Sequence, residues 1–191
     1  MYRSYIATTI IILVVVLVSC TSSRYSTYDS DYPLTNEIAK SKSGVLNVRI
    51  PQGWYSVLEN DGKGIDLWLV KEDYSASLSF MAFNINSELQ RSGNTLESIL
   101  NFSKILKEKT LIEPFKQVGE DESFRINSFN CTGYKYYSNE GLLSRGVVFS
   151  YREKYYELTA QPVKIESGAS IESEELFSIQ NSVIASLSPN I

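Results

Sequence analysis

Two short segments, Ile65 to Val70 and Ala76 to Phe83, are apolar on both faces of an extended chain. In a strand, successive side chains point to opposite sides. Ile65, Leu67 and Leu69 therefore face one way and Trp68 and Val70 the other. In the second segment Leu78 and Phe80 oppose Met81 and Phe83. A sheet with one wet face alternates cleanly between apolar and polar. These strands need cover on both faces, so the sheet they join must lie between two layers.

Two helices can supply that cover. Leu96, Ile99, Leu100, Ser103 and Leu106 recur at helical spacing, and Asn94-x-x-Glu97 resembles a capping box ahead of them. Lys104, Lys107 and Lys109 suit the negative end of that helix. The second helix is predicted over Glu172 to Leu187. Its acidic start is Glu172, Glu174 and Glu175, and its stripe is Leu176, Ile179, Val183 and Leu187.

Further strands are predicted at Val45 to Ile50, Phe124 to Ser138, Leu142 to Tyr151 and Tyr155 to Val163. Pro51 stops the first and Gln52-Gly53-Trp54 turns the chain; Asn60-Asp61-Gly62 makes the turn into Ile65 to Val70. The last three are joined by Asn139-Glu140-Gly141 and Arg152-Glu153-Lys154, short enough for an antiparallel meander, and Pro162 ends the last. The expected fold class is α+β, a curved antiparallel sheet flanked by helices.

Val48-x-Ile50-Pro51-x-Gly53-Trp54, the meander from Tyr134 to Gln161 and the terminal helix resemble the PsbP-like superfamily, which includes DcrB-type bacterial lipoproteins. The resemblance covers Val45 to Leu187. It implies a layered sandwich and a mostly accessory, non-catalytic role. The metal-binding histidines of plant members have no counterpart, because this chain contains no histidine.

The N-terminus carries a second resemblance. Arg3 precedes an apolar run from Ile10 to Val18, and Leu17-Val18-Ser19-Cys20 is similar to a bacterial lipobox. The run is short of the roughly 20 apolar residues that a membrane span needs. Residues 1–19 are therefore expected to be a cleaved lipoprotein signal, with Cys20 diacylated, palmitate among its acyl groups. Two acyl chains hold a protein on a bilayer where one does not. The expected location is a bacterial cell membrane, on its periplasmic or extracytoplasmic side. Thr21, rather than Asp, after the cysteine resembles an outer-membrane destination. Residues 20–44, rich in Ser, Thr, Tyr, Asp and Lys, read as a flexible tether, and 45–191 as one globular domain.

Composition narrows the chemistry. The net charge is −4, and removing the signal takes away one more positive charge. An acidic chain without a basic cluster is not expected to bind nucleic acid. Without histidine there is no Ser-His or Cys-His pair and no histidine zinc site. With Cys20 lipidated, Cys131 is the one remaining thiol; it is expected to be a small buried hydrophobe without a disulfide partner. Gly62-Lys63-Gly64 lacks the third glycine of a phosphate loop and reads as a turn. Asp29-Ser30-Asp31 opens like a calcium loop, but Lys40 stands where the closing glutamate should be. Glu120-Asp121-Glu122 reads as a solvated loop. No cofactor, metal site or catalytic residue is expected.

Thirteen tyrosines leave two readings open. Tyr134, Tyr136, Tyr137, Tyr151 and Tyr155 are candidate surface aromatics for a binding face. They are also good strand residues that pack across neighbours. Trp54 and Trp68 read as core or layer-edge residues. The expected function is that of a non-catalytic envelope lipoprotein, with a monomeric domain, docking on an envelope protein. The alternative is a carrier or sensor of a small apolar ligand or lipid, held between sheet and helix.

Overall fold

The eight-stranded sheet that forms the middle layer runs in the order β1-β7-β8-β9-β10-β6-β5-β4. The computed structural model describes residues 26–28, 31–57, 64–84, 96–138, 141–166, 168 and 170–187. The signal, Cys20, Thr21, Asp29-Ser30, Asn60 to Lys63, Asn94 and Asn139-Glu140 lie outside the described residues. The strands are β1 (Ser26–Thr27), β2 (Leu34–Lys40), β3 (Asn47–Pro51), β4 (Trp54–Ser56), β5 (Ile65–Lys71) and β6 (Ala76–Phe83), then β7 (Gln117–Ile126), β8 (Phe129–Tyr137), β9 (Leu143–Tyr151) and β10 (Lys154–Pro162). The helices are α1 (Leu96–Thr110) and α2 (Ser173–Ala185). Every pairing in the large sheet is antiparallel except that of β1 with β7. The fold is α+β, as the periodicity predicts.

The two-faced strands sit where two layers meet them. On one face Leu67, Leu69, Leu78, Phe80, Val147, Phe149 and Leu158 pack with Leu176, Ile179 and Val183 of α2. On the other, Phe83, Tyr134, Tyr136 and Val148 pack with Ile99 and Leu100 of α1. The register Leu158↔Phe80 and Ala160↔Leu78 joins the N-terminal hairpin to the meander through β10 and β6.

Three boundaries differ from the sequence reading. Phe124 to Ser138 is not one strand. It holds the end of β7, a two-residue turn at Asn127-Ser128, and β8. Asn127 has φ +49°, a left-handed value that asparagine tolerates. Phe124, Ile126 and Cys131 are buried against the same core, so the apolar pattern runs on across the turn. Glu120-Asp121-Glu122 is not a loop. It lies in β7, beside a bulge between Val118 and Glu122. An edge strand keeps one border in water, so its polar composition resembles a loop.

The third correction concerns the tether. Leu34–Lys40 is a strand paired with β3, Ala39 is 3% exposed, and Ala39 belongs to the core of the α2 side. Ser41 Oγ accepts the Leu46 amide at 3.0 Å, and Asp66 accepts the Ser43 amide at 2.8 Å. The β2–β3 hairpin also meets α2: the Tyr32 amide donates to Ser182 Oγ at 3.1 Å and the Arg49 amide to Ser186 Oγ at 3.0 Å. Alternation at Leu34, Glu37 and Ile38 is poor, and Ile38 is 58% exposed, so the strand leaves little apolar signature. The Pro51-Gln52-Gly53-Trp54 turn that follows β3 needs its glycine, because Gly53 has φ +78°.

Candidate functional site

A buried charge lies on each face of the sheet, on neighbouring strands. Glu157 of β10 faces α1 and is 0% exposed. Tyr134 Oη donates to its Oε1 at 3.1 Å, Thr159 Oγ1 to the same oxygen at 3.0 Å, and Ser103 Oγ to Oε2 at 2.6 Å. Lys107 Nζ lies 3.4 Å from Oε1 and donates to Thr159 Oγ1 at 3.0 Å. Ser103 and Lys107 are four residues apart on α1, so both reach down from one helical face. Burial works against the Lys107 cation, but the Glu157 carboxylate beside it raises its pKa above the usual lysine value. Burial, and then the charge of Glu157, raise the Tyr134 phenol.

Gly146 of β9 makes room for this cluster. A Cβ there would stand 2.7 Å from Tyr134 Cε1 and 2.8 Å from Glu157 Oε1. The sequence offers no signal for this role, because the glycine's neighbours come from β8 and β10 and are brought to it only by strand register.

Arg145 of β9 faces the other way and is 1% exposed. Its Nη1 donates to Asn181 Oδ1 at 3.0 Å, and its Nη2 to Glu122 Oε2 at 2.9 Å. Lys135 Nζ holds the other Glu122 oxygen at 2.8 Å. Burial pushes the Glu122 carboxyl up, but the Lys135 hydrogen bond and the charge of Arg145 outweigh it, and its pKa falls below the ordinary value. The guanidinium lies 4.7 Å from the Phe124 ring centre, 5.3 Å from that of Tyr28 and 5.6 Å from that of Phe177. A cleft of about 150 Å³ opens beside it.

The five candidate surface tyrosines separate. Tyr134, Tyr136 and Tyr151 are buried, at 0%, 2% and 5% exposure. Tyr134 and Tyr136 stack on each other under α1. The surface reading is corrected for these three, because their side chains meet helix or core instead of water. Tyr155 is half-buried against the α1-side core, and Tyr137 is exposed at the end of β8. Trp54 is buried and Trp68 half-buried. Cys131 is buried, and burial pushes its thiol up to about 12. Among the described residues no group of three or more histidine, cysteine or acidic side chains is placed to hold a metal ion.

Among the described residues, other large apolar side chains besides Tyr137 face outward, Ile38 and Tyr74 among them, and three of these lie on or just after α1. Phe102 and Ile105 project from α1 at 50% and 48% exposure, and Ile112, just past its end, is 90% exposed. A second cleft, of about 360 Å³, lies between the start of α1 and β7–β8. Leu96, Leu100 and Cys131 line it, but so do Glu97, Asp121 and Asn130.

This arrangement of sheet and helices has a counterpart among solved structures. The solution structure of cyanobacterial PsbP (CyanoP) from Synechocystis sp. PCC 6803 superposes with a TM-score of 0.55 at 13% identity, over 85% of this chain and 97% of that one. The likeness is one of fold. It bears out the layered architecture that the Pro-x-Gly-Trp turn and the meander imply. The crystal structure of PA94 from Pseudomonas aeruginosa, titled a protein of unknown function and putative regulator, matches at a TM-score of 0.43 and 12% identity, over 81% of this chain and 97% of that one. At that distance it adds nothing about the site. No family model matches the sequence, and no curated protein matches it.

Proposed function

We propose that this chain is a bacterial cell-envelope lipoprotein, anchored through Cys20, whose domain is a non-catalytic accessory module that docks on another envelope protein. The observation that carries the docking reading is the row of outward apolar side chains on and after α1, Phe102, Ile105 and Ile112. Large hydrophobics clustered in water mark interaction surfaces more often than accidents of packing. A non-catalytic reading is supported by the state of the reactive groups. The Cys131 thiol is buried and raised to about 12, and Glu157 is committed to four donors. The cleft of about 360 Å³ between α1 and β7–β8 is lined mostly by polar side chains. A carrier of apolar ligands needs a mostly apolar lining, which this cleft lacks.

A photo-crosslinking amino acid at Phe102, in the native host, tests docking. A discrete adduct with one envelope protein is the expected result; crosslinks to lipid alone would favour the carrier. Anchoring is tested separately. Cys20→Ala is expected to abolish incorporation of labelled palmitate and to release the protein from membranes, with the outer membrane as its expected origin.

A further inference from the structure

We propose that α1 is a latched lid: it leaves the sheet as a unit while the α2 side stays folded, and the Glu157 cluster is its catch. The proposal stands apart from the anchoring and docking reading and survives its failure.

The two helices are held in different ways. In α2, eight of 13 residues are buried, Leu176, Phe177, Ile179, Val183 and Ile184 among them. In α1, three of 15 are buried, and one of the three is a serine. Apolar area removed from water is the main adhesive between layers, so Ile99 and Leu100 give α1 much the weaker grip. The surroundings also hold α2 through their backbone. Gln180 Nε2 donates to the Leu158 carbonyl at 2.7 Å, and the Tyr32 and Arg49 amides end on Ser182 and Ser186.

Among the described residues, the hydrogen bonds from α1 to the sheet run through the side chains of Ser103, Lys104 and Lys107. Lys104 Nζ meets Asp121 Oδ2 at 2.7 Å on an exposed border, where an ion pair contributes little. Ser103 and Lys107 both end on the cluster around Glu157. The polar attachment is thus gathered at one point on one turn of the helix. A buried carboxylate and ammonium offset their lost hydration only while every partner is in place. The catch therefore holds or releases as a whole.

Lifting α1 would uncover Phe83, Tyr134, Tyr136 and Val148 on the sheet, and Ile99 and Leu100 on the helix. A helix of 15 residues is marginal in water by itself. The freed segment would stay helical only against a new apolar surface. The lid is a device for presenting apolar surface on demand, in addition to the Phe102 and Ile105 already displayed.

The test follows amide exchange of the full, folded chain by mass spectrometry at neutral pH, in buffer and at a series of low guanidinium concentrations. Opening of one unit gives faster exchange, and a smaller denaturant dependence, than unfolding of the whole molecule. Amides from Ile99 to Lys107 are expected to exchange roughly a hundredfold faster than those from Ile179 to Ile184, with the smaller denaturant slope. Equal rates and slopes in the two helices would overturn the lid. Glu157→Gln keeps the shape and removes the charge. It is expected to speed exchange in α1 by about tenfold or more and to leave α2 within about twofold. Should that variant not fold, Lys107→Met, at a side chain 19% exposed, is expected to act in the same direction. Equal acceleration in both helices, or none in α1, would overturn the catch.

Discussion

Glu157 and Arg145 lie on neighbouring strands of the sheet, on opposite faces, and are opposite in circumstance. Glu157 is sealed under α1, and each of its oxygens has donors from the protein itself. Arg145 is as thoroughly covered, but it borders a cleft and keeps one N–H without an acceptor. Burying a charge removes its hydration, and the loss is offset only when partners replace the water. The α1 side makes that replacement in full. The α2 side makes it in part and leaves room beside the charge. A closed network fixes a helix on a sheet; where the network is incomplete, apolar packing holds the helix instead. This difference, rather than burial as such, separates the two sides.

The largest expected effect breaks the closed side. Glu157→Ala would leave the Lys107 cation and three hydroxyls without their common acceptor. A loss of about 3–5 kcal/mol is expected in urea unfolding, the range for removing one partner of a buried pair. A loss under about 1 kcal/mol would show that the network is dispensable. Arg145→Met keeps the stem and removes the charge, while Lys135 still pairs with Glu122 Oε1 and leaves Oε2 open. It is expected to cost less, about 1–3 kcal/mol, mainly from unpaired Asn181 and Glu122 oxygens. If the Arg145 variant proved the more damaging, the contrast between the two sides would be reversed.

Gly146→Ala sharpens the same point. The added methyl group cannot fit beside Tyr134 and Glu157 without moving them. Overpacking of about 1–3 kcal/mol is expected, with α1 loosened first. Amide exchange should accelerate in Leu96–Thr110 more than in Ser173–Ala185.

Acid tests the α2 side. The folded-state pKa of Glu122 lies below its ordinary value of 4.5. Its contribution is therefore present above that value and is lost as pH falls through the folded pKa. Glu122→Gln should flatten the decline of Tm with pH below about 4.5 while lowering Tm near neutrality. An unchanged slope would show that Glu122 has the same pKa folded and unfolded. The smallest effect is expected from Ile112→Ser, at a position 90% exposed just past α1. It should change stability by no more than about 0.5 kcal/mol, so any loss of crosslinking or partner capture there reports on the surface.

The sequence makes the layers legible because apolar pattern and cover are the same physics. Leu67, Leu69, Leu78 and Phe80 declare one face, and Met81 and Phe83 the other. The helical stripes at Ile99 and Leu100, and at Leu176, Ile179 and Val183, declare what meets them. The strand β2 was hidden because a short hairpin strand with one buried residue, Ala39, carries almost no period. Both charged clusters were hidden for a different reason. Lone Arg and Glu residues in a strand read as solvent-facing, and only the register of β8, β9 and β10 brings Tyr134 and Glu157 around Gly146. The tyrosines were ambiguous because strand packing and surface display favour the same residue.

The pairing of β1 with β7 also sets a length. On the anchoring proposed above, the lipid is attached at Cys20, and among the described residues the chain first pairs with the sheet at Ser26. Six residues at full extension span only about 20 Å. The domain would then ride against the bilayer with its β7 border toward the lipid headgroups, and its reach for partners would be confined to a thin shell above the surface. The short strand would thus act as a spacer clip, setting how far from the membrane the molecule can search.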